Sequence, residues 1–190
     1  MTLHLTRSKA AGEVAVRRHY PDAPILRPSV VFGPEDDFFN RFARLAQFAP
    51  ALPLIGGGAT RLQPVYVGDV AAAIEAALDR PGAGGRIYEL GGPRVMTMRE
   101  VLDYVCACTR RRRWLVELPF GVAGMLAAVL EKLPAPQLTR DQVRLLRRDN
   151  VVAPGAADLR ALGIEPTPVE AIVPGYLETY RRGGRFSAAR

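Results

Sequence analysis

Two thiols, a glycine triplet and a run of arginines are the residues of this chain whose types and spacing could do chemistry. Cys106 and Cys108 are the only cysteines, separated by one alanine within a stretch that reads as helix. On a helix they point about 200° apart, which excludes an ordinary disulfide between them. Two thiols with no histidine beside them also fall short of four metal ligands, so no metal site is expected and they read as core residues of a cytosolic protein. Gly56-Gly57-Gly58 invites a phosphate-loop reading, but it lacks the Lys-Ser/Thr of a P-loop and the spacing of a dinucleotide fingerprint. A flexible hairpin turn is expected there instead. Arg110–Arg113 is the densest charge in the chain. It suits phosphate or lipid-headgroup contact, but the favoured reading is the solvated end of a helix whose dipole welcomes positive charge. No aromatic residues interleave the arginines, as a single-strand nucleic-acid binder would need.

Composition narrows the partners. The formal charge is +7 and the pI about 10.0, a balance that favours a membrane surface, nucleic acid or a phosphorylated cofactor. Nucleic acid is not expected, because no recognised reading element is present. At 190 residues, 48% hydrophobic and 24% charged, the chain is ordinary globular material for one domain or one and a half. Met1–Lys9 has no apolar segment of a secretory signal, and Val116–Leu130 is broken by Glu117, Pro119, Gly121 and Gly124, too short to span a bilayer. A cytoplasmic protein, peripheral on the inner face of the cytoplasmic membrane, is the corresponding expectation.

These groups must be positioned by an alternation of helices and strands. Ile25–Glu35 reads as a strand buried on both faces, as in a parallel sheet, running out into Gly33-Pro34. In open α/β sheets, ligands sit beyond such carboxyl ends. A helix over about Thr6–Tyr20 precedes it, with Ala10, Ala11 and Val14 on one face, and Pro21 stops it. The strand that should come before this helix is missing, so the chain is expected to begin in the middle of a fold. Further on, the pattern gives a helix at Phe38–Phe48, a strand at Arg61–Val67, a helix at Val70–Leu78 capped by Asp69, and a strand at Arg86–Leu90. Thr97-Met-Arg-Glu100 is a capping box opening a helix to Thr109, and Trp114–Leu118 is a strand. Phe120–Leu130 is a helix apolar almost all round, fit for deep burial or for a partner or membrane. Thr139 with Gln142 caps a helix over Asp141–Arg148, a short helix covers Ala156–Leu162 with Gly163 as its stop, and Pro168–Arg182 is helical with a kink or restart at Pro174.

Four stretches taken together resemble the C-terminal part of an extended short-chain dehydrogenase, in the family's order and spacing. They are Arg7-Ser-Lys-Ala-Ala-Gly-Glu13, Leu26-Arg-Pro-Ser-Val-Val-Phe-Gly-Pro34, Gln63-Pro-Val-Tyr-Val-Gly-Asp-Val-Ala71 and Tyr88-Glu-Leu-Gly-Gly-Pro93. Within that NAD-dependent epimerase/dehydratase superfamily the chain is similar to the atypical branch holding the nucleotide-binding accessory subunit of respiratory complex I and its bacterial relatives. The residues behind this are Pro34–Phe42, Leu54–Val67, Leu138–Val143 and Asp149-Asn150-Val151.

The resemblance implies an α/β fold, an incomplete Rossmann-like dehydrogenase. Residues 1–35 would be a remnant of the dinucleotide-binding domain. Residues 36–182 would form a small mixed α/β substrate-type subdomain, interleaved with the sheet near 62–67 and 86–90, and residues 183–190 a flexible tail. In the superfamily, a Tyr four residues before a Lys supplies the acid/base pair, the Lys lowering the phenol pKa and holding the nicotinamide ribose. Lys9 matches that Lys, while the Tyr position is Leu5, which has no proton to give. A solvated helix lysine is the plainer reading of Lys9. Pro28, Ser29, Val30 and Val31 correspond to the backbone contact with the nicotinamide carboxamide. Sugar-nucleotide enzymes carry Asn where Val30 stands. Arg61 lies where relatives place a substrate-phosphate contact, or is structural.

NADP or NAD is the family cofactor. The Gly-rich strand-turn-helix that holds its pyrophosphate does not occur in this sequence, so this chain alone is expected to bind none. Three readings follow. The first is a non-catalytic accessory protein whose partner, complex I or a membrane surface, is met through Phe120–Leu130 and Arg110–Arg113. The second is a fragment of a sugar-nucleotide epimerase, dehydratase or reductase, and the third a basic nucleic-acid-binding module. An exposed edge beside Ile25–Phe32 is expected to promote self-association.

Overall fold

The computed structural model describes residues 3–131 and 138–184, with side chains from Ser8 onward. The tail beyond Gly184 lies outside the described residues, as does the side chain of Leu5.

Among the described residues the strands pair in four two-stranded sheets, three parallel and one antiparallel, each built from non-local partners. Helix α1 (Leu3–His19) leads through a short link to β1 (Ile25–Pro28), which pairs in parallel with β6 (Ile87–Leu90). After a break at Ser29-Val30, β2 (Val31–Phe32) pairs in parallel with β5 (Val65–Tyr66). The stretch expected as one strand is therefore two, with a change of partner between them. Ser29 N–H donates to Leu90 O at 2.9 Å, whereas Val65 N–H donates to Val30 O at 2.9 Å. Burial on both faces is not observed: Ile25 and Phe32 are buried, but Arg27 and Pro28 are exposed. Among the described residues β1 has one strand neighbour, and α1 before it is exposed at every described side chain but Glu13, so α1 does not supply the face cover that makes a parallel strand apolar throughout.

Helix α2 (Phe39–Phe48) begins where Asp36 accepts from Phe39 N–H at 2.6 Å and Asn40 N–H at 3.1 Å. Next comes β3 (Ala51–Ile55), which pairs in parallel with β8 (Trp114–Leu118), not with its neighbour in sequence. The glycine triplet is thus a turn but not a hairpin. Its residues have φ of 61°, 71° and 71°, a region costly for other residues. A Cβ on Gly56 would lie 2.2 Å from the Phe120 ring, so the turn is a seat for that ring.

The strand expected at Arg61–Val67 is divided by Gln63-Pro64 into β4 (Arg61–Leu62), antiparallel to β7 (Met96–Thr97), and β5. Helix α3 spans Val67–Asp79, so Asp69 is in its first turn and is not its N-cap. There its buried carboxylate accepts from Thr167 N–H at 2.7 Å and Thr167 hydroxyl at 2.8 Å. The capping box at Thr97 opens α4 (Met98–Cys108), and the one at Thr139 opens α6 (Arg140–Leu145), shorter than expected. Between them lies α5 (Phe120–Leu130), which buries only Ala123 and Ala127 and leaves Val122, Met125, Leu126 and Val129 exposed. The helix expected over Ala156–Leu162 is a single 3₁₀ turn at Arg160–Leu162, stopped by Gly163 at φ 81°. Helix α7 (Val169–Leu177) continues through Pro174 and passes into a 3₁₀ turn at Glu178–Tyr180.

The largest buried cluster gathers Phe32, Phe39, Val101, Val105, Val173 and Leu177 between α2, α4 and α7. Cys108 lies in it, and Cys106 packs half-buried against a second cluster around Leu52, Leu54 and Leu102. Cys108 is thus a core residue as expected, while Cys106 is only half-buried at the edge of the core.

Candidate functional site

Of the residues singled out by the sequence, Pro28 and Ser29 stand at the carboxyl end of β1, Val30 and Val31 lead into β2, Arg61 is on antiparallel β4 and Lys9 is on α1. Glu13 on α1 takes Arg27 on β1 in a two-point grip, at 2.9 Å to Nε and 2.5 Å to the terminal nitrogen. That contact sets the level of the helix against the strand. Lys9 stands one turn, about 6 Å of rise, before Glu13 and on the same helix face. Ser29 stands two residues, about 6–7 Å, beyond Arg27. The Glu13–Arg27 pair is thus where α1 and β1 meet, with Lys9 preceding it on the helix and Pro28 and Ser29 following it on the strand. Lys9 is exposed, as is every described side chain of α1 except half-buried Glu13.

The next group is held by a segment that the sequence did not mark as a site. Asn150 O accepts from the Ser29 hydroxyl at 2.7 Å and from Gln63 N–H at 3.0 Å. Asn150 N–H donates to Arg61 O at 2.8 Å. Gln63 in turn donates to Gly92 O at 2.8 Å and accepts from Val152 N–H at 2.9 Å. Ala153 N–H reaches Glu89 at 2.8 Å. Residues 149–153 thus form a strap that runs along β4, before the start of β5, and across the carboxyl ends of β1 and β6. Ser29 and Arg61 meet on either side of Asn150, and the Ser29 hydroxyl has its proton committed to a carbonyl.

Arg61 is engaged with the same strap. Its N–H and Nε donate to the two oxygens of Asp149 at 2.8 and 2.9 Å. Those bonds, the backbone N–H first, hold the Asp149 carboxyl below the usual carboxylate range. The structural role weighed for Arg61 is thus present in the folded chain, with its guanidinium exposed at the rim. Val30 and Val31 contribute packing and sheet bonds, half-buried against the clusters of Leu52 and Val65. Gln63, Asp149 and Asn150 are the residues sequence reasoning missed. Their only signal was membership of the family-like stretches.

At the end of β2, Asp36 also accepts from Gly33 N–H at 3.2 Å and from the Tyr176 hydroxyl at 2.5 Å. Burial, then the bond and charge of Asp36, push the Tyr176 phenol far above its ordinary value. Burial likewise raises the Tyr104 phenol. Neither phenol is poised as an acid/base group near neutrality.

A second charged feature is an open depression of about 520 Å³, lined by Asp103, Cys106, Ala107 and Arg110–Arg113. Arg111 Nε donates to Tyr180 O at 3.0 Å and Arg113 Nε to Ala46 O at 2.8 Å. Burial, with Arg113 and Arg182 nearby, lowers the Arg111 pKa. Among the described ion pairs none involves these four arginines. No described helix is long and apolar enough to cross a membrane.

Residues 6–91 match the NAD dependent epimerase/dehydratase family. The UDP-glucose 4-epimerase structure with UDP-glucose from Thermotoga maritima superposes with a TM-score of 0.61 over 92% of this chain and 51% of its own, at 17% identity, a likeness of fold alone. Over residues 6–91 the chain is thus similar to the NAD-dependent epimerase/dehydratase superfamily, and its α/β fold matches part of extended short-chain dehydrogenase structures. Among its relatives is mitochondrial NADH dehydrogenase (ubiquinone) 1 alpha subcomplex subunit 9 of Arabidopsis thaliana, 39% identical over 95% of this chain and 47% of that protein. The Rattus norvegicus subunit of the same name is 38% identical over 86% of this chain and 44% of its own length. The chain spans about half the length of these relatives.

Proposed function

We propose that this chain is the nicotinamide-side and partner-facing portion of a non-catalytic accessory protein of the complex I type. Its residues 1–35 belong with a dinucleotide-binding sheet, interleaved through β5 and β6 with a substrate-type subdomain over 36–182. The observation that carries the reading is Leu5 four residues before Lys9: the cation that would hold a nicotinamide ribose is kept, and the proton donor is not. The similarity to mitochondrial complex I subunits supports it, as does the Ser29 hydroxyl being committed to Asn150 O.

In this reading NADP or NAD is a structural ligand of the parent protein, with Lys9 and the Pro28–Val31 backbone on its nicotinamide side. The isolated chain, which carries no Gly-rich pyrophosphate turn, binds neither. Its place is at a membrane-bound respiratory complex, with the exposed face of α5 and the Arg110–Arg113 patch turned to the complex or the membrane surface.

The test is native electrophoresis of membranes containing the tagged chain within its parent protein, together with NADPH fluorescence titration of the isolated chain. Co-migration with NADH dehydrogenase activity is expected, with no change in NADPH emission for the isolated chain. Lys9→Ala in the parent is expected to weaken nucleotide retention. Turnover of a sugar nucleotide or reduction of a carbonyl by the chain would overturn the reading in favour of an enzyme fragment.

A further inference from the structure

The arginine patch has neighbours that its sequence context does not reveal. Arg113 is fastened to Ala46 O, and Trp114 N–H donates to Pro50 O at 3.3 Å, with Trp114 opposite Ala51 in the ladder. The segment between those two anchor points carries Phe48. Phe48 is 84% exposed and Trp114 is 78% exposed, levels unusual for large aromatic residues on a protein surface with nothing to cover them. Phe48 and Trp114 thus lie on the two segments joined at Arg113, one of the four arginines that line the 520 Å³ depression. Arg111 and Arg113 spend their Nε–H groups on carbonyls, which fixes their position, while Arg110 and Arg112 are exposed. Asp103 is the one acid in the lining.

Positive charge beside exposed Trp and Phe is the chemistry of a bilayer interface. Guanidinium groups pair with lipid phosphates while the rings enter the headgroup layer. We infer that Arg110–Arg113, with Trp114 and Phe48, form a docking surface for an anionic phospholipid bilayer. This rests on the membrane-facing part of the proposed function and deepens it by naming phosphate headgroups as the ligand. It also separates two patches that the sequence grouped together, because α5 starts from the far end of β8. The depression holds phosphate, and the rings choose a bilayer over a soluble anion.

Trp114 is the only tryptophan, so its emission reports the contact directly. The full chain is titrated with phosphatidylcholine vesicles, with the same vesicles containing a third phosphatidylglycerol, and with inorganic tripolyphosphate. A blue shift is expected with the anionic vesicles only, reversed by salt. Arg110→Gln with Arg112→Gln leaves the two carbonyl anchors in place and is expected to weaken vesicle partitioning about five-fold per charge removed. Phe48→Ser, read by flotation, is expected to weaken it without changing the salt dependence. A folded double variant that partitions as well as the parent overturns the proposal. Arginine-dependent binding of tripolyphosphate without a vesicle-induced shift assigns the site to a soluble phosphate and also overturns it. Because the isolated chain is used, vesicle binding without co-migration in native gels would sink the accessory reading alone. Co-migration without vesicle binding would sink this one alone.

Discussion

Removing the Tyr176 hydroxyl isolates the bond by which α7 is tied to the junction of β2 and α2. Asp36 receives four donors: Gly33 N–H, Phe39 N–H, Asn40 N–H and Tyr176 O–H. Tyr176→Phe keeps the buried ring and leaves the carboxylate with its three backbone donors. Its cost is therefore one hydrogen bond to a charged acceptor, about 1.5–3 kcal/mol. For a chain of this size that is roughly a 3–12 °C fall in Tm. Asp36→Ala removes the same bond and also the helix cap, and it strands a buried phenol. About 3–5 kcal/mol is expected. The assay is urea unfolding of the parent, both single variants and the double variant. In the cycle, the double variant should be less destabilised than the sum of the singles by about 1.5–3 kcal/mol. Additive losses, or a Tyr176→Phe cost within error of zero, would refute the claim that this contact anchors α7.

Three further outcomes are expected. Glu13 is held below its ordinary range chiefly by its bond from Arg27, Glu100 by Thr97 N–H, Glu131 by Arg140 N–H and Asp149 by Arg61 N–H. The unfolded chain then binds more protons than the folded one in acid, so their contribution is complete above about pH 5 and is lost as pH falls through the folded values. Tm measured against pH should be flat on their account from pH 7 to 5, and a fall already at pH 6 would contradict this. Gly92→Ala would place a Cβ 2.1 Å from Pro64 O. Since that neighbour is backbone, a loss of about 1–3 kcal/mol is expected in thermal melts, whereas Gly57→Ala has open space and faces only its φ of 71°. Burial raises both cysteine thiols, so alkylation at pH 7 should be slower than for a free thiol, with Cys106 reacting before Cys108. Mass spectrometry of the modified peptide reads the order.

What was legible in the sequence was local. The boxes at Thr97-Glu100 and Thr139-Gln142 close within four residues, and both are present. The bounds of α5 and β8 were also readable, from a stretch without charge after Pro119 and a strand with Val116 at its centre. The failures share a long reach. β3 was hidden because Pro53 and the following glycines read as turn, and its partner β8 starts at Trp114. Asp69 has the residue type of a cap, yet its donors belong to Thr167. The candidate site divides in the same way. Motif order located Lys9, Ser29 and Arg61, but nothing short-range could tell that Asn150 would join Ser29 to Arg61. The division of Ile25–Glu35 at Ser29 likewise depends on β5 and β6 arriving from elsewhere.

The position of α1 bears on how quickly any site using Lys9 can assemble. A helix with Val14 68% exposed and Val16 42% exposed is not sealed by apolar contact, and its grip on β1 is an ion pair whose Arg27 side chain is 45% exposed. Exposed pairs of that kind contribute little and weaken in salt. Its amide protons should therefore exchange by a local opening that leaves the sheet intact, far faster than those of β6. A ligand recruiting Lys9 must first still this motion, so its affinity would carry an entropic handicap, and a partner resting on Val14 and Val16 would remove it before the ligand arrived.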